Sequence, residues 1–100
     1  MRSWRVLLRD VAIDGVGVEA SYADLFLVVR EAEEVPGPND WEATLRTAQR
    51  RHLTPGRHEL RAHTEEGQEV LGWAVLRFSD GNQHHFRGDG PLDGAGSVLA

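Results

Sequence analysis

Apolar and polar residues alternate along much of this chain, and the period of the alternation names the elements. From Ser3 to Ile13, Trp4, Val6 and Leu8 fall on one side and Arg5, Leu7 and Arg9 on the other, a period of two that predicts a strand. Asp14-Gly15 follows, a pair that tolerates the positive φ of a tight hairpin turn, and a return strand is expected from Val16 to Tyr22. Leu25 to Val29 is a continuous apolar run, as expected of a strand buried on both faces.

The stretch 31–40 breaks the pattern, because Pro36-Gly37-Pro38 can continue neither a helix nor a central strand. Beyond it, Asn39 stands three residues before Glu42 in a capping-box arrangement. Trp41, Leu45, Ala48 and Leu53 recur at near-helical spacing, Arg46, Arg50 and Arg51 suit the negative end of a helix dipole, and Thr54-Pro55-Gly56 is a stop signal. These features predict a helix over about 40–52.

The second half reads as three strands, 57–64, 69–78 and 83–88, joined by two-residue turns at Glu66-Gly67 and Asp80-Gly81. Those turns would pair Leu60 with Trp73, Ala62 with Leu71, Val75 with Phe86, and Arg77 with His84. One apolar face would then carry Leu60, Ala62, Leu71, Trp73, Val75 and Phe86. The other would carry Val70, Ala74, Leu76 and Phe78 among charged neighbours. The fold expected is α+β: a mostly antiparallel curved sheet of about six strands with one helix packed on it, an all-β small barrel being the alternative. A single domain is expected over 1–89, with the glycine-rich stretch 90–100 as a flexible tail.

Composition narrows the functions. A chain of 100 residues supports one modest core. It has no cysteine, which removes disulfides, thiolate metal sites and cysteine nucleophiles. All eleven cationic side chains are arginine, so Schiff-base chemistry, a P-loop and pyridoxal-phosphate anchoring are excluded. The arginine, alanine and glycine usage suggests a high-GC bacterial genome. The net charge of −5 argues against nucleic acid as a partner. No apolar run approaches a signal-peptide core or a bilayer span, so a cytoplasmic protein with no membrane association is expected.

Candidate chemistry is sparse. His84 and His85 are adjacent and would point to opposite faces of a strand, so they cannot chelate together. In the register above, His58, Arg77 and His84 meet at one end of the apolar face. Arginine is a poor neighbour for a metal ion, so no metal site and no cofactor are expected. Three converging donors suit a small anionic ligand, with Trp73 lining a pocket behind them. No nucleophile accompanies them, and no catalytic residue is assigned. Arg46, Arg50, Arg51, Arg57 and Arg61 form a local basic stretch, which suits either a patch for phosphate or an acidic partner or, as preferred in an acidic domain, a solvated face balanced by Glu42, Glu59, Glu65 and Glu66. Arg87-Gly88-Asp89 matches a short adhesion tripeptide without the context that would give it meaning. Val70, Ala74, Leu76 and Phe78 form the candidate interface. The expected function is a non-enzymatic interaction or accessory module that binds a partner protein or itself as a homodimer. The alternative is a small-ligand-binding domain or small acid-base enzyme with its pocket near His58, Arg77 and His84.

Overall fold

The computed structural model describes residues 1–99. Seven strands follow one another: β1 Arg2–Ile13, β2 Val16–Gly17, β3 Tyr22–Val29, β4 Trp41–Arg46, β5 Gly56–Thr64, β6 Glu69–Ser79 and β7 Gln83–Asp93, with a short helix α1 at Ala95–Leu99. The sheet order is β2-β1-β3-β4-β7-β6-β5, and β5 pairs back with β1. Six strands therefore close a barrel in which every pairing is antiparallel, and β2 is a two-residue addition at the end of β1. The α+β expectation is overturned, and the fold is the all-β small barrel. No helix among the described residues is long and apolar enough to cross a membrane.

The segment expected to be helical is extended. Trp41, Ala43 and Leu45 are buried while Glu42, Thr44 and Arg46 point outward, a period of two along β4. Trp41 and Leu45 are four apart and satisfy either period, and the residues between them decide. The capping signal starts no helix: Asn39 lies in the turn before β4, and Glu42 is on β4 with an oxygen 3.5 Å from His85 Nε2. Asp40 accepts a bidentate pair of hydrogen bonds from Arg30 at 2.9 and 3.0 Å, and its carbonyl accepts from Val28 N–H. Residues 47–55 then run irregularly across one mouth of the barrel. Thr47 N–H donates to Asn82 O at 2.8 Å and Arg51 N–H to Gly81 O at 2.7 Å.

Both C-terminal turns are displaced from the expected register. Thr64 N–H bonds Gln68 O, and Gly67, at φ +89°, closes a three-residue loop over 65–67. Leu60 therefore pairs with Gly72 and Leu76 with Phe86. A one-residue slip exchanges the faces of a strand. On β6 the inward residues are Val70, Gly72, Ala74 and Leu76, and Trp73, expected in the core, is 40 % exposed. A bulge on β1 does the same within one strand. Asp10 sits at φ +54°, the pairing with β5 shifts between Arg9 and Ala12, and the inward set changes from Trp4, Val6 and Leu8 to Val11 and Ile13.

The core occupies the barrel interior, around Trp41, Phe86, Leu25, Leu27 and Val29. The Trp41 indole lies over two inward glycines: a Cβ at Gly72 would stand 2.9 Å from its ring, and one at Gly88 2.4 Å from Nε1. Its N–H donates to Gly90 O at 3.0 Å, so this large buried ring leaves no donor unpaired. The stretch read as a loose tail begins as strand: β7 continues to Asp93, and Ala95 is buried.

Candidate functional site

What remains empty inside the barrel is an apolar void of about 30 Å³ lined by residues such as Leu25, Leu45, Ala62 and Phe86. That is room for roughly one water and for no ligand. A binding site must therefore lie on the outside or at a mouth.

One mouth carries such a site. β6 runs three residues beyond Leu76, the last residue that pairs with β5, and its tip (Arg77, Phe78, Ser79) faces the crossing segment 50–55. Between them is an open groove of about 760 Å³. Leu53, Pro55, Leu76 and Phe78 make it apolar, and Phe78 is 52 % exposed there. Arg50, Arg51, His52 and Arg77 add cationic and titratable groups. Among the described residues, no carboxylate lies within ion-pair distance of Arg50, Arg51 or Arg77. The acid of the groove, Asp80, is occupied by its own turn. Its Oδ1 accepts from Gln83 N–H at 2.7 Å and Asn82 N–H at 3.0 Å, and these two bonds, with a smaller share from the Arg50 charge, hold the carboxyl below its ordinary value. Gly81, at φ +99°, leaves room for the Arg50 guanidinium, which a Cβ at that position would meet at 2.7 Å.

The three residues expected to converge do not. His58 pairs with Ala74 and His84 with Ser79, five positions apart on β6, while Arg77 points outward. His58 is buried, with Nε2 2.6 Å from Thr54 O and Nδ1 2.7 Å from Asp14 Oδ2. Its ring stands edge-on to Phe86 at 6.1 Å. Burial works against its charge, but the Thr54 carbonyl and the Asp14 carboxylate outweigh it and raise the imidazole above its usual value. Two acceptors facing two ring nitrogens call for the imidazolium. Asp14 also accepts Glu59 N–H at 2.9 Å, and that bond, with His58, holds its carboxyl low. His84 is fully buried, with Nδ1 2.7 Å from Ser79 Oγ and Nε2 without a hydrogen-bond partner. Desolvation lowers its value; nearby Asp80 opposes that and the Arg51 charge adds to it, so the ring is neutral.

Trp73 lies outside the barrel under the Arg57 guanidinium, 4.6 Å from its ring centre, and Arg57 pairs with Asp89 at 2.9 Å. Trp73 and Phe86 are therefore on opposite faces of the sheet and line no common pocket. Of the residues expected to form an interface, Val70 and Ala74 are in the core, Leu76 is half-buried at the groove, and Phe78 is exposed in it. The groove itself leaves no signal in the sequence, because Arg50 and Arg51 fall in the stretch 40–52 whose spacing suggests a helix, and Asp14 carries only the signal of its turn. Buried Asp24, which accepts from Arg5 at 2.6 Å and from Tyr22 O–H at 2.7 Å, carried no recognisable signal inside its apolar run.

Fold and groove together define a small closed antiparallel barrel with a filled interior and a basic, partly apolar groove at one mouth. No protein-family model, no curated protein and no solved structure matches the chain.

Proposed function

We propose that this barrel is a ligand-binding domain, and that the groove between residues 50–55 and the tip of β6 takes a small anionic ligand with an apolar body. The observation that carries this reading is the set of three arginines, Arg50, Arg51 and Arg77, that form no ion pair with a carboxylate among the described residues, lining one partly apolar groove in a chain of net charge −5. Guanidinium groups left unpaired beside Leu53 and Phe78 suit a phosphate or carboxylate attached to a ring or alkyl group. Binding rather than acid-base catalysis is favoured because both nitrogens of His58 are committed and His84 is buried behind Ser79. A cytoplasmic setting, which a cysteine-free chain suits, belongs to the same proposal.

Calorimetry with phenyl phosphate, inorganic phosphate and benzyl alcohol tests it. Phenyl phosphate is expected to bind more tightly than either fragment and to weaken with added salt. Arg77→Ala or Arg51→Ala should each cost about tenfold, the lower end for a charge-assisted hydrogen bond. No binding of any of the three at millimolar concentration, or binding indifferent to both substitutions, would contradict the proposal.

A further inference from the structure

The barrel is not closed along its whole length, and the opening is on β1. Residues Arg2–Leu7 pair with β3, while β5 pairs with β1 only from Leu8 onward. Which backbone groups this leaves free follows from alternation. Val28 N–H donates to Asp40 O, so Val28, Phe26 and Asp24 turn their backbone groups towards β4, and Leu25, Leu27 and Val29 turn theirs towards β1. Their partners Val6, Trp4 and Arg2 must face β3. Ser3, Arg5 and Leu7 then present their N–H and C=O groups to the open side. The far end agrees: Thr64 N–H is spent on Gln68, so Leu8 and Thr64 form a non-hydrogen-bonded pair and the odd-numbered neighbours of Leu8 face outward. A groove of about 280 Å³ runs along this edge, lined in part by Arg5, Leu7, Glu65, Glu66 and Val98.

We propose that this edge pairs with the same edge of a second copy of the chain, joining two barrels through an antiparallel β1–β1 ribbon about a two-fold axis. An exposed row of unpaired strand groups is a template for another strand, and the chain's own residues narrow the register. Outward-facing residues must meet outward-facing residues, so an odd-numbered residue pairs with an odd-numbered one. Centring on Arg5 would set two guanidinium groups directly opposite, each already paired with its own Asp24 at 2.6 Å and with no second acid between them among the described residues, which is unfavourable. Centring on Val6 would drive Trp4 of the second copy into the space that Thr64 occupies beside Leu8. Centring on Trp4 avoids both, and where centring on Ser3 would set Met1 opposite Arg5, it sets the exposed, apolar Met1 opposite the exposed, apolar Leu7. Ser3 then lies opposite Arg5 of the second copy. That register also carries the basic start of one β1, at Arg2, towards Glu65 and Glu66 of the other, two acids with no ion-pair partner among the described residues.

Sedimentation velocity from micromolar to millimolar protein, with amide exchange, tests the pairing. The expected result is a reversible monomer–dimer equilibrium in which the amides of Ser3, Arg5 and Leu7 become protected as the dimer forms. Ser3→Pro removes an N–H that β3 does not use, so it should abolish the dimer and leave barrel unfolding at low concentration unchanged. Ser3→Glu places a carboxylate opposite Arg5 twice across the axis and should tighten the dimer about three- to tenfold, whereas Ser3→Arg should loosen it by a similar factor. A monomer throughout the range, a dimer that survives Ser3→Pro, or equal effects of Ser3→Glu and Ser3→Arg would overturn the proposal. None of these outcomes depends on whether the groove at the barrel mouth binds a ligand.

Discussion

His58 shows how a single side chain can tie distant parts of a small barrel together. It sits on β5, yet its ring nitrogens hold the turn after β1 through Asp14 and the crossing segment through Thr54. Because its folded value is raised, the stabilisation is complete below the unfolded reference of about 6.5 and is lost as pH rises through the folded value. Asp14, whose value is lowered, sets the acid limit: its share is present above about 3.9 and fades as pH falls through the folded value. Buried neutral His84 has the opposite sign, since its value is lowered and its contribution falls away as pH drops from about 6.5. Urea unfolding of His58→Gln should therefore lose the decline in stability expected of the parent as pH rises above about 6.5. His84→Gln should lose part of the decline on the acid side of 6.5. Identical pH profiles for parent and His58→Gln would show that the imidazolium pair contributes nothing. At this scale the sequence was partly legible. Asp14-Gly15 is a turn for the reason given, with Asp14 at φ +53° and Gly15 at φ +81°. Nothing local could announce that its carboxylate reaches a histidine 44 residues away.

Elements were easier to find than to align. Strands were expected close to where β1, β3, β5, β6 and β7 lie, because alternation and turn residues mark them. Their registers were not legible, because Gly67 and Gly81 each fit more than one loop length and one residue of slip exchanges core for surface. Trp73, expected in the core, lies outside the barrel for this reason, while Trp41 is buried as its apolar position suggests. The clearest test of the observed facing is Gly88, which looks outwardly unimportant between Arg87 and Asp89. A methyl group there would meet the Trp41 indole at 2.4 Å. Gly88→Ala should destabilise the barrel by about 1–3 kcal/mol, the range for overpacking a tight core, while Asp89→Ala should cost less than about 1 kcal/mol through the exposed pair with Arg57. Equal urea midpoints for Gly88→Ala and the parent would mean that Trp41 does not lie over this strand.

Closure governs the whole molecule. Once β5 pairs with β1, one face of the sheet becomes an interior, which Trp41, Phe86 and their neighbours fill, and small-molecule chemistry is pushed to the mouths. The face expected to be an interface, with Val70 and Ala74, is that interior. Closure joins strands about fifty residues apart and leaves no local trace, which is why the barrel stood only as an alternative to an open sheet. The groove follows from closure as well, since β6 outruns β5 and the crossing segment must arch over its tip. The most direct test of a ligand site at that mouth is mapping the backbone and arginine side-chain NMR shifts during titration with phenyl phosphate. Saturable shifts confined to Arg50, Arg51, Leu53, Arg77, Phe78 and Gly81, lost in Arg51→Ala, are expected. Shifts scattered over the surface, or centred on Trp73 and Arg57 instead, would contradict it.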